Sequence, residues 1–275
     1  MSTTTVPSPP ELKNLRLEID GEIGTLTLAR PKVLNAMSPE LIAELVTAAA
    51  WLADRAPLRA LIVTGEGRAF SAGGDVTWFK RGLDESGAYL SADVRRGADV
   101  LHQAIVDFHR IPYPVIAAIN GVAAGAGFSL ALMCDTRIAS EDAAFVCAYG
   151  RIGASPDGGM TYFLPRVVGP ARALELLLND PLLSAAEARA EGIVAEVVPA
   201  DRLTEVARER ADELAAKAPH YVRMSKLLVG QSLENTLADH LQVERHGIAD
   251  SMATEDLREG VTAFLEGRQA TFTGR

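Results

Sequence analysis

From Leu12 to Leu28 apolar and polar positions alternate on both sides of Asp20-Gly21, which predicts a β-hairpin made of LRLEID and EIGTLTLAR. The period then lengthens. Ser38 offers an N-cap and Pro39 a first helical residue, and Leu41, Ile42, Leu45, Val46 and Leu52 follow at helical spacing toward Arg55. Residues 58–64 form a continuous apolar run closed by Gly65-Glu66-Gly67, the pattern of a strand covered on both faces. The same succession returns as a helical pattern over 93–109, a buried strand over 114–120 and a second helix over 125–134, followed by short strands at 136–139 and 143–148. Alternation of this kind predicts an α/β core rather than a sandwich or a bundle. No repeat is visible at the level of residue identity.

Beyond Pro199 the character changes, because residues 201–217, 221–229, 232–249 and 255–267 all carry helical periodicity with no strand between them. The chain is therefore divided into a disordered N-terminus (1–10, polar and proline-rich), an α/β core (11–199) and a helical C-terminal oligomerisation region (200–275). The last assignment rests on amphipathic faces that are more easily buried against another subunit than against one another.

Composition narrows the function. With 48% hydrophobic residues in 275, the chain can bury a full core. Its net charge is −9, and no run of five like charges occurs, so a surface that tracks nucleic-acid phosphates is not expected. Cys134 and Cys147 stand in apolar stretches and read as small buried hydrophobes in a reducing compartment. The start lacks the basic and apolar regions of a signal peptide, and no apolar run approaches the ~20 residues of a membrane span. A cytoplasmic protein is expected. His109, His220, His240 and His246 have no partners at metal-ligand spacing, so no metal is expected.

Two glycine-rich stretches each follow a buried strand: residues 68–75 (RAFSAGGD) and residues 120–127 (NGVAAGAG). Glycine at a strand exit lets the backbone approach a ligand and turns peptide N–H groups outward. Two such donors meeting at one oxygen would form an oxyanion hole. Rival readings are weaker. The spacing of 121–127 is not that of a dinucleotide loop, 69–73 lacks the first glycine of a nucleophile elbow, and plain tight turns would not be expected twice in the same place.

Together with ARPKVLNAMSPE (29–40), GRAFSAGGDV (67–76), PVIAAINGVAAGAGFSLALMCD (114–135), IGASPDGGMTYFLPRVVG (152–169), SAAEARAEGIVAEVV (184–198) and AFLEGRQATF (263–272), these stretches resemble the crotonase superfamily, or enoyl-CoA hydratase/isomerase family, from about Leu15 to Phe272. The resemblance implies a spiral of ββα units followed by a helical trimerisation region. It implies that the N–H groups of Gly74 and Ala126 bind the thioester oxygen of an acyl-CoA, with Ala69, Phe70, Ser71 and Ala72 lining the adenine and pantetheine and Lys32 and Val33 near the same ligand. Lys32 also reads as an ordinary solvated loop lysine. No permanently bound cofactor is implied, since coenzyme A arrives as part of the substrate. The implied partners are an acyl-CoA thioester and further copies of the chain, as a homotrimer or a dimer of trimers. Neither nucleic acid nor membrane is implied.

The pattern departs from the family's hydratases, which use two glutamates at the positions held here by Ser129 and Tyr149. A serine hydroxyl and a phenol are poor bases near neutrality. Asp157 matches the acid/base aspartate of the family's isomerases and the nucleophilic aspartate of its aryl-CoA dehalogenases; read alone, it would cap a helix over 158–166. His102 stands where the dehalogenases keep a histidine, or is simply a helical histidine. The expected activity is therefore double-bond isomerisation, with Gly74 and Ala126 stabilising a thioester enolate and Asp157 moving the proton. The alternatives are hydration through Asp157 alone, hydrolysis or dehalogenation through an Asp157 ester, and non-catalytic binding of a CoA thioester. Trp78, Phe79, Leu83 and Tyr89, in the 76–100 segment, are expected to line the acyl pocket.

Overall fold

The computed structural model describes residues 8–54, 56–86 and 90–275, so most of the expected disordered segment, Arg55 and Tyr89 lie outside the described residues. Strands β1 (Leu15–Asp20) and β2 (Ile23–Leu28) form the expected hairpin, with Leu15 opposite Leu28 and Asp20 opposite Ile23. Gly21 takes the left-handed conformation that the turn requires, with φ 61°. Helix α1 (Pro39–Asp54) turns Leu41, Leu45, Ala48, Ala49, Trp51 and Leu52 into the core, the apolar face its spacing predicts.

The chain then passes between two sheets. β3 (Ala60–Gly65) leads into β4 (Ala69–Ser71); after helices α2 (Val76–Ser86) and α3 (Leu90–His109), β5 (Val115–Ile119) leads into β6 (Val122–Ala124). Helix α4 (Ala126–Met133) follows, and β7 (Thr136–Ser140) leads into β8 (Ala144–Val146). In each pair the first strand joins a six-stranded sheet of order β1-β2-β3-β5-β7-β10, and the second joins a four-stranded sheet of order β4-β6-β8-β9. The pairings β2–β3, β3–β5, β5–β7, β4–β6 and β6–β8 are parallel, so the bends between the sheets stack side by side. This stacking is what brings the two glycine-rich stretches together.

The remaining elements are α5 (Met160–Val168), α6 (Pro170–Asn179), β9 (Leu183–Ser184), α7 (Ala185–Ala190), β10 (Glu196–Val198), α8 (Leu203–Ala215), α9 (Pro219–Gln231), α10 (Leu237–Ser251) and α11 (Glu255–Glu266). Leu203, Ala207 and Ala211 of α8 cover one face of the larger sheet, against Ile62, Ile116 and Ile138. The three later helices bury little. Cys134 and Cys147 are both free and buried. No described helix is long and apolar enough to cross a membrane.

Candidate active site

The first bend is held by buried and part-buried polar side chains. Leu34 and Asn35 adopt positive φ (53° and 56°), and the fully buried Asn35 fixes that shape: its Oδ1 accepts from Arg30 N–H at 2.9 Å, while its Nδ2 donates to the carbonyls of Glu66 at 3.0 Å and Ala69 at 2.8 Å. Ser71 Oγ donates to the Asn35 carbonyl at 2.9 Å. Residues 34–37 then run alongside 72–75 in a short parallel pairing, in which Met37 N–H donates to Gly73 at 2.7 Å and Asp75 N–H donates to Met37 at 3.2 Å. Because these two bonds straddle Gly74, its own N–H and carbonyl point away from Met37. Among the described residues, the Gly74 N–H has no hydrogen-bond acceptor.

Asp75 completes this bend. Its Oδ1 accepts from the N–H groups of Thr77 and Trp78 at 3.1 and 3.2 Å, capping α2, and its Oδ2 lies 3.4 Å from the Arg30 guanidinium.

The second bend ends at Gly125 with φ 50°, followed directly by α4, all eight of whose residues are buried. The first intrahelical donor is the Ser129 N–H, to Gly125 at 3.0 Å, so the N–H groups of Ala126, Gly127 and Phe128 begin the helix without backbone partners. A helix N-terminus favours negative charge at that point. The bends touch. A Cβ added at Gly73 (φ 88°) would lie 2.6 Å from the Ala124 carbonyl and 3.3 Å from the Ala126 nitrogen, and one added at Gly125 would lie 3.9 Å from Gly73 Cα. Only glycine fits here, which places the free amides of residues 74 and 126 on adjoining turns of chain.

Beside the second bend the structure brings together three residues that the sequence singled out separately. Tyr149 hydroxyl donates to Asp157 Oδ1 at 3.0 Å; Ser129 Oγ lies 3.1 Å from the Tyr149 oxygen and 3.1 Å from the Asp157 carbonyl, which accepts from it. Burial and the adjacent Asp157 carboxylate raise the Tyr149 pKa, so the phenol stays neutral and acts as a donor. Asp157 Oδ2 has no partner among the described residues. Gly158 fits against Ser129, where an added Cβ would come within 3.2 Å of the serine Cβ. The helical-cap reading of Asp157 is corrected here: α5 begins at Met160 with Gly159 at its N-cap and no side-chain cap, and the Asp157 carboxylate is turned toward Tyr149 instead.

The other expected site residues are dispersed. Lys32 and Val33 are exposed on the turn before Asn35. Ala69, Phe70 and Ser71 form β4 and are buried (2%, 0% and 0% exposed), so their side chains support the bend rather than present a ligand surface; Ala72 retains some exposure. Their burial follows from the pairing of β4 with β6 inside the core, so any lining of a ligand by this segment falls to its backbone and to Ala72. His102 is exposed on α3 and makes no hydrogen bond or ion pair among the described residues. Trp78 and Phe79 are half-buried and meet edge to face at 5.3 Å, whereas Leu83 is exposed. Burial pushes Cys134 up to about 12 and Cys147 up to about 11, so neither offers a thiolate near neutrality. Among the described residues no three His, Cys, Asp or Glu side chains gather as a metal site would need. Sequence reasoning missed Asn35, Asp75 and Arg30, which shape the first bend. The signal available for Asp75 was an aspartate directly before an amphipathic segment.

The two glycine bends thus set free amides on adjoining turns of chain, with the Asp157 carboxylate beside the second, an arrangement chemically able to polarise a carbonyl oxygen. The sequence pattern of the enoyl-CoA hydratase/isomerase family matches residues 18–275, and the chain belongs to that family and has the crotonase fold. It is 40% identical over 264 residues to a protein named probable enoyl-CoA hydratase from Rhizobium meliloti (strain 1021), covering 96% of this chain and 99% of the other. It is 38% identical over 259 residues to 1,2-epoxyphenylacetyl-CoA isomerase from Escherichia coli (strain K12), covering 94% and 97%. The crystal structure of an enoyl-CoA hydratase from Polaromonas sp. JS666 superimposes with a TM-score of 0.87 at 34% identity, covering 94% of this chain and 99% of that one. The protein is thus an enzyme of the hydratase/isomerase family.

Proposed function

We propose that the enzyme isomerises the double bond of an enoyl-CoA thioester, with Gly74 and Ala126 N–H groups binding the thioester oxygen and Asp157 carrying the proton. The observation that supports this most is that, among the described residues, Asp157 is the one carboxylate in contact with the Ser129–Tyr149 group, with Oδ2 unpaired. Asp157 Oδ2 removes a proton from the carbon next to the thioester carbonyl of a 3-enoyl substrate; the electron pair spreads into the carbonyl and the C3–C4 double bond. The negative charge collects on the oxygen between the two amides, each such donor contributing roughly 2.7–4 kcal/mol to the transition state. Returning the same proton to the far carbon gives the 2-enoyl thioester. One carboxylate suffices for both transfers, whereas neither Ser129 nor the neutral Tyr149 can deprotonate a water.

The exposed Lys32 and Val33 suit the nucleotide end of coenzyme A. A homotrimer or dimer of trimers in the cytoplasm belongs to the same proposal, supported by the apolar residues that α9 to α11 leave uncovered: Val229, Leu237, Phe264 and Leu265 are 74–86% exposed.

The test is turnover of a panel of enoyl- and aryl-CoA esters in ¹⁸O-labelled water by wild type and Asp157→Asn. Wild type is expected to yield isomer without label, and Asp157→Asn to lose on the order of a thousandfold in kcat. Label in a product alcohol would establish hydration instead, label in the protein after one turnover would establish an aspartyl ester, and tight binding without turnover would establish a thioester carrier. Full activity of Asp157→Asn would remove Asp157 from the chemistry.

A further inference from the structure

Tyr149 has a place in the site that proton transfer by Asp157 does not by itself require. It is nearly buried, at 9% exposure, and its hydroxyl stands at the junction of three elements. Toward the second bend, a Cβ at Gly125 would meet the ring's Cζ at 4.0 Å. Toward α4, the hydroxyl oxygen lies 3.1 Å from Ser129 Oγ, and toward the 153–159 segment it lies 3.0 Å from Asp157 Oδ1 and 3.1 Å from the Asp157 carbonyl. A phenol has one proton. The charged carboxylate oxygen takes it in preference to a carbonyl, because a charge-assisted bond is about twice as strong as a neutral one. Ser129 Oγ can then give its own proton to the Asp157 carbonyl, 3.1 Å away, or to the Gly125 carbonyl at 3.3 Å. With the serine proton on the nearer Asp157 carbonyl, that residue is held at two points, backbone and side chain, by two hydroxyls that are themselves in contact. The other faces add no charge: α3 contributes Ile105 against Gly158, and no cation or second carboxylate contacts Asp157 among the described residues.

We infer that Tyr149 is a positioning residue that locks Asp157 Oδ1, so that Oδ2 alone carries the proton and returns it to the same substrate molecule. This rests on the isomerase reading given above. A carboxyl group fixed at one oxygen cannot turn about its Cβ–Cγ bond to hand its proton to solvent, so the proton stays beside the enolate until reprotonation. A freed carboxyl group exchanges its proton with water in the interval, and the product then carries a solvent hydrogen. The bond to Tyr149 therefore determines how much of the transferred hydrogen comes from the substrate.

Isomerisation in deuterated water, with product deuterium read by mass spectrometry alongside kcat and KM, tests this. In wild type, product formed in single turnovers is expected to hold little deuterium. In Tyr149→Phe, deuterium content is expected to rise at least severalfold and kcat to fall about tenfold to a hundredfold, with KM within about threefold of wild type, since the oxyanion amides are untouched. Unchanged deuterium content in Tyr149→Phe, whatever happens to kcat, would overturn the inference, because a merely structural role lowers rates without changing the source of the hydrogen. Should Tyr149→Phe fail to fold, 3-fluorotyrosine at position 149 keeps the ring and strengthens the donor. It is expected to match or lower the wild-type deuterium content, and a rise would overturn the inference. Asp157→Asn separates the two levels: activity retained there removes Asp157 as the proton carrier of the reading on which this inference rests, while its loss together with an unchanged deuterium pattern in Tyr149→Phe defeats only the role of Tyr149.

Discussion

The two ends of this chain use apolar residues in opposite ways. In the α/β core, β5 buries every residue from Val115 to Ile119 and α4 buries every residue from Ala126 to Met133. From α9 onward the helices bury almost nothing inside the chain: none of α9, only Gly247 of α10, and Asp256 and Ala263 of α11. They are tied to the core by polar contacts instead: Arg59 donates to the carbonyls of Phe272 at 2.9 Å and Lys217 at 2.8 Å, and Lys226 donates to the Tyr113 carbonyl at 2.9 Å and pairs with Asp135. Within the C-terminal region the buried Asp256 carboxylate accepts from the N–H groups of Thr273 and Gly274 at 2.7 and 2.9 Å. Apolar burial sets stability at roughly 25 cal/mol per Å², so the core is the cooperative unit and the last helices open at lower free energy. Every residue proposed to carry chemistry lies in the core, whose rigidity holds the two amides in place.

The sharpest way to break this contrast is a pair of glycine substitutions. Gly73→Ala puts a Cβ 2.6 Å from a backbone carbonyl at a positive φ, and is expected to destabilise the protein by roughly 4–5 kcal/mol and abolish turnover. Gly230→Ala, in α9, meets only His109 Nε2 at 3.6 Å and is expected to stabilise by about 0.5–1 kcal/mol. Denaturant titrations of both variants decide it, and equal effects would erase the distinction. A second pair compares apolar residues. Leu45→Ala, at 1% exposure, is expected to cost about 2–5 kcal/mol, whereas Leu265→Ser, at 78%, is expected to leave monomer stability within about 0.5 kcal/mol and reduce the mass seen by sedimentation. The smallest effect compares caps. Ser184 forms a full capping box with Glu187 on α7, and Thr236 caps α10 through Asp239 N–H; each changed to Ala is expected to cost about 1 kcal/mol. Hydrogen exchange should place the loss at Ser184 in global unfolding and the loss at Thr236 in local opening.

Long periodic segments of the fold were legible in the sequence. The β1–β2 hairpin, α1 and the buried run ending at Gly65 stand where alternation, the Ser38-Pro39 start and continuous apolarity put them. The three-residue strands β4 and β6 were not legible, because so few residues show no period and their pairing lies between distant segments. Helix α2 was hidden as well: its pattern covers barely three turns, and its capping signal, Asp75, sits inside the glycine-rich stretch. Asp157 was legible as a residue of interest and Tyr149 as a substituted position, but no spacing in the chain announces that the phenol reaches the carboxylate. That contact depends on how the 149–159 segment folds back over α4. Likewise the burial of Phe70 and Ser71 follows from β4 entering the second sheet, which only the packed structure reveals.

The pairing of Met37 with the chain around Gly74 has a consequence for how this enzyme could be tuned. The direction of one amide is set by the buried Met37 peptide, just ahead of the first long helix. A small rotation introduced near Met37 would re-aim that donor without changing any residue of the glycine-rich stretches themselves. Variation in rate among related sequences can therefore be written in residues that a map of ligand contacts would pass over.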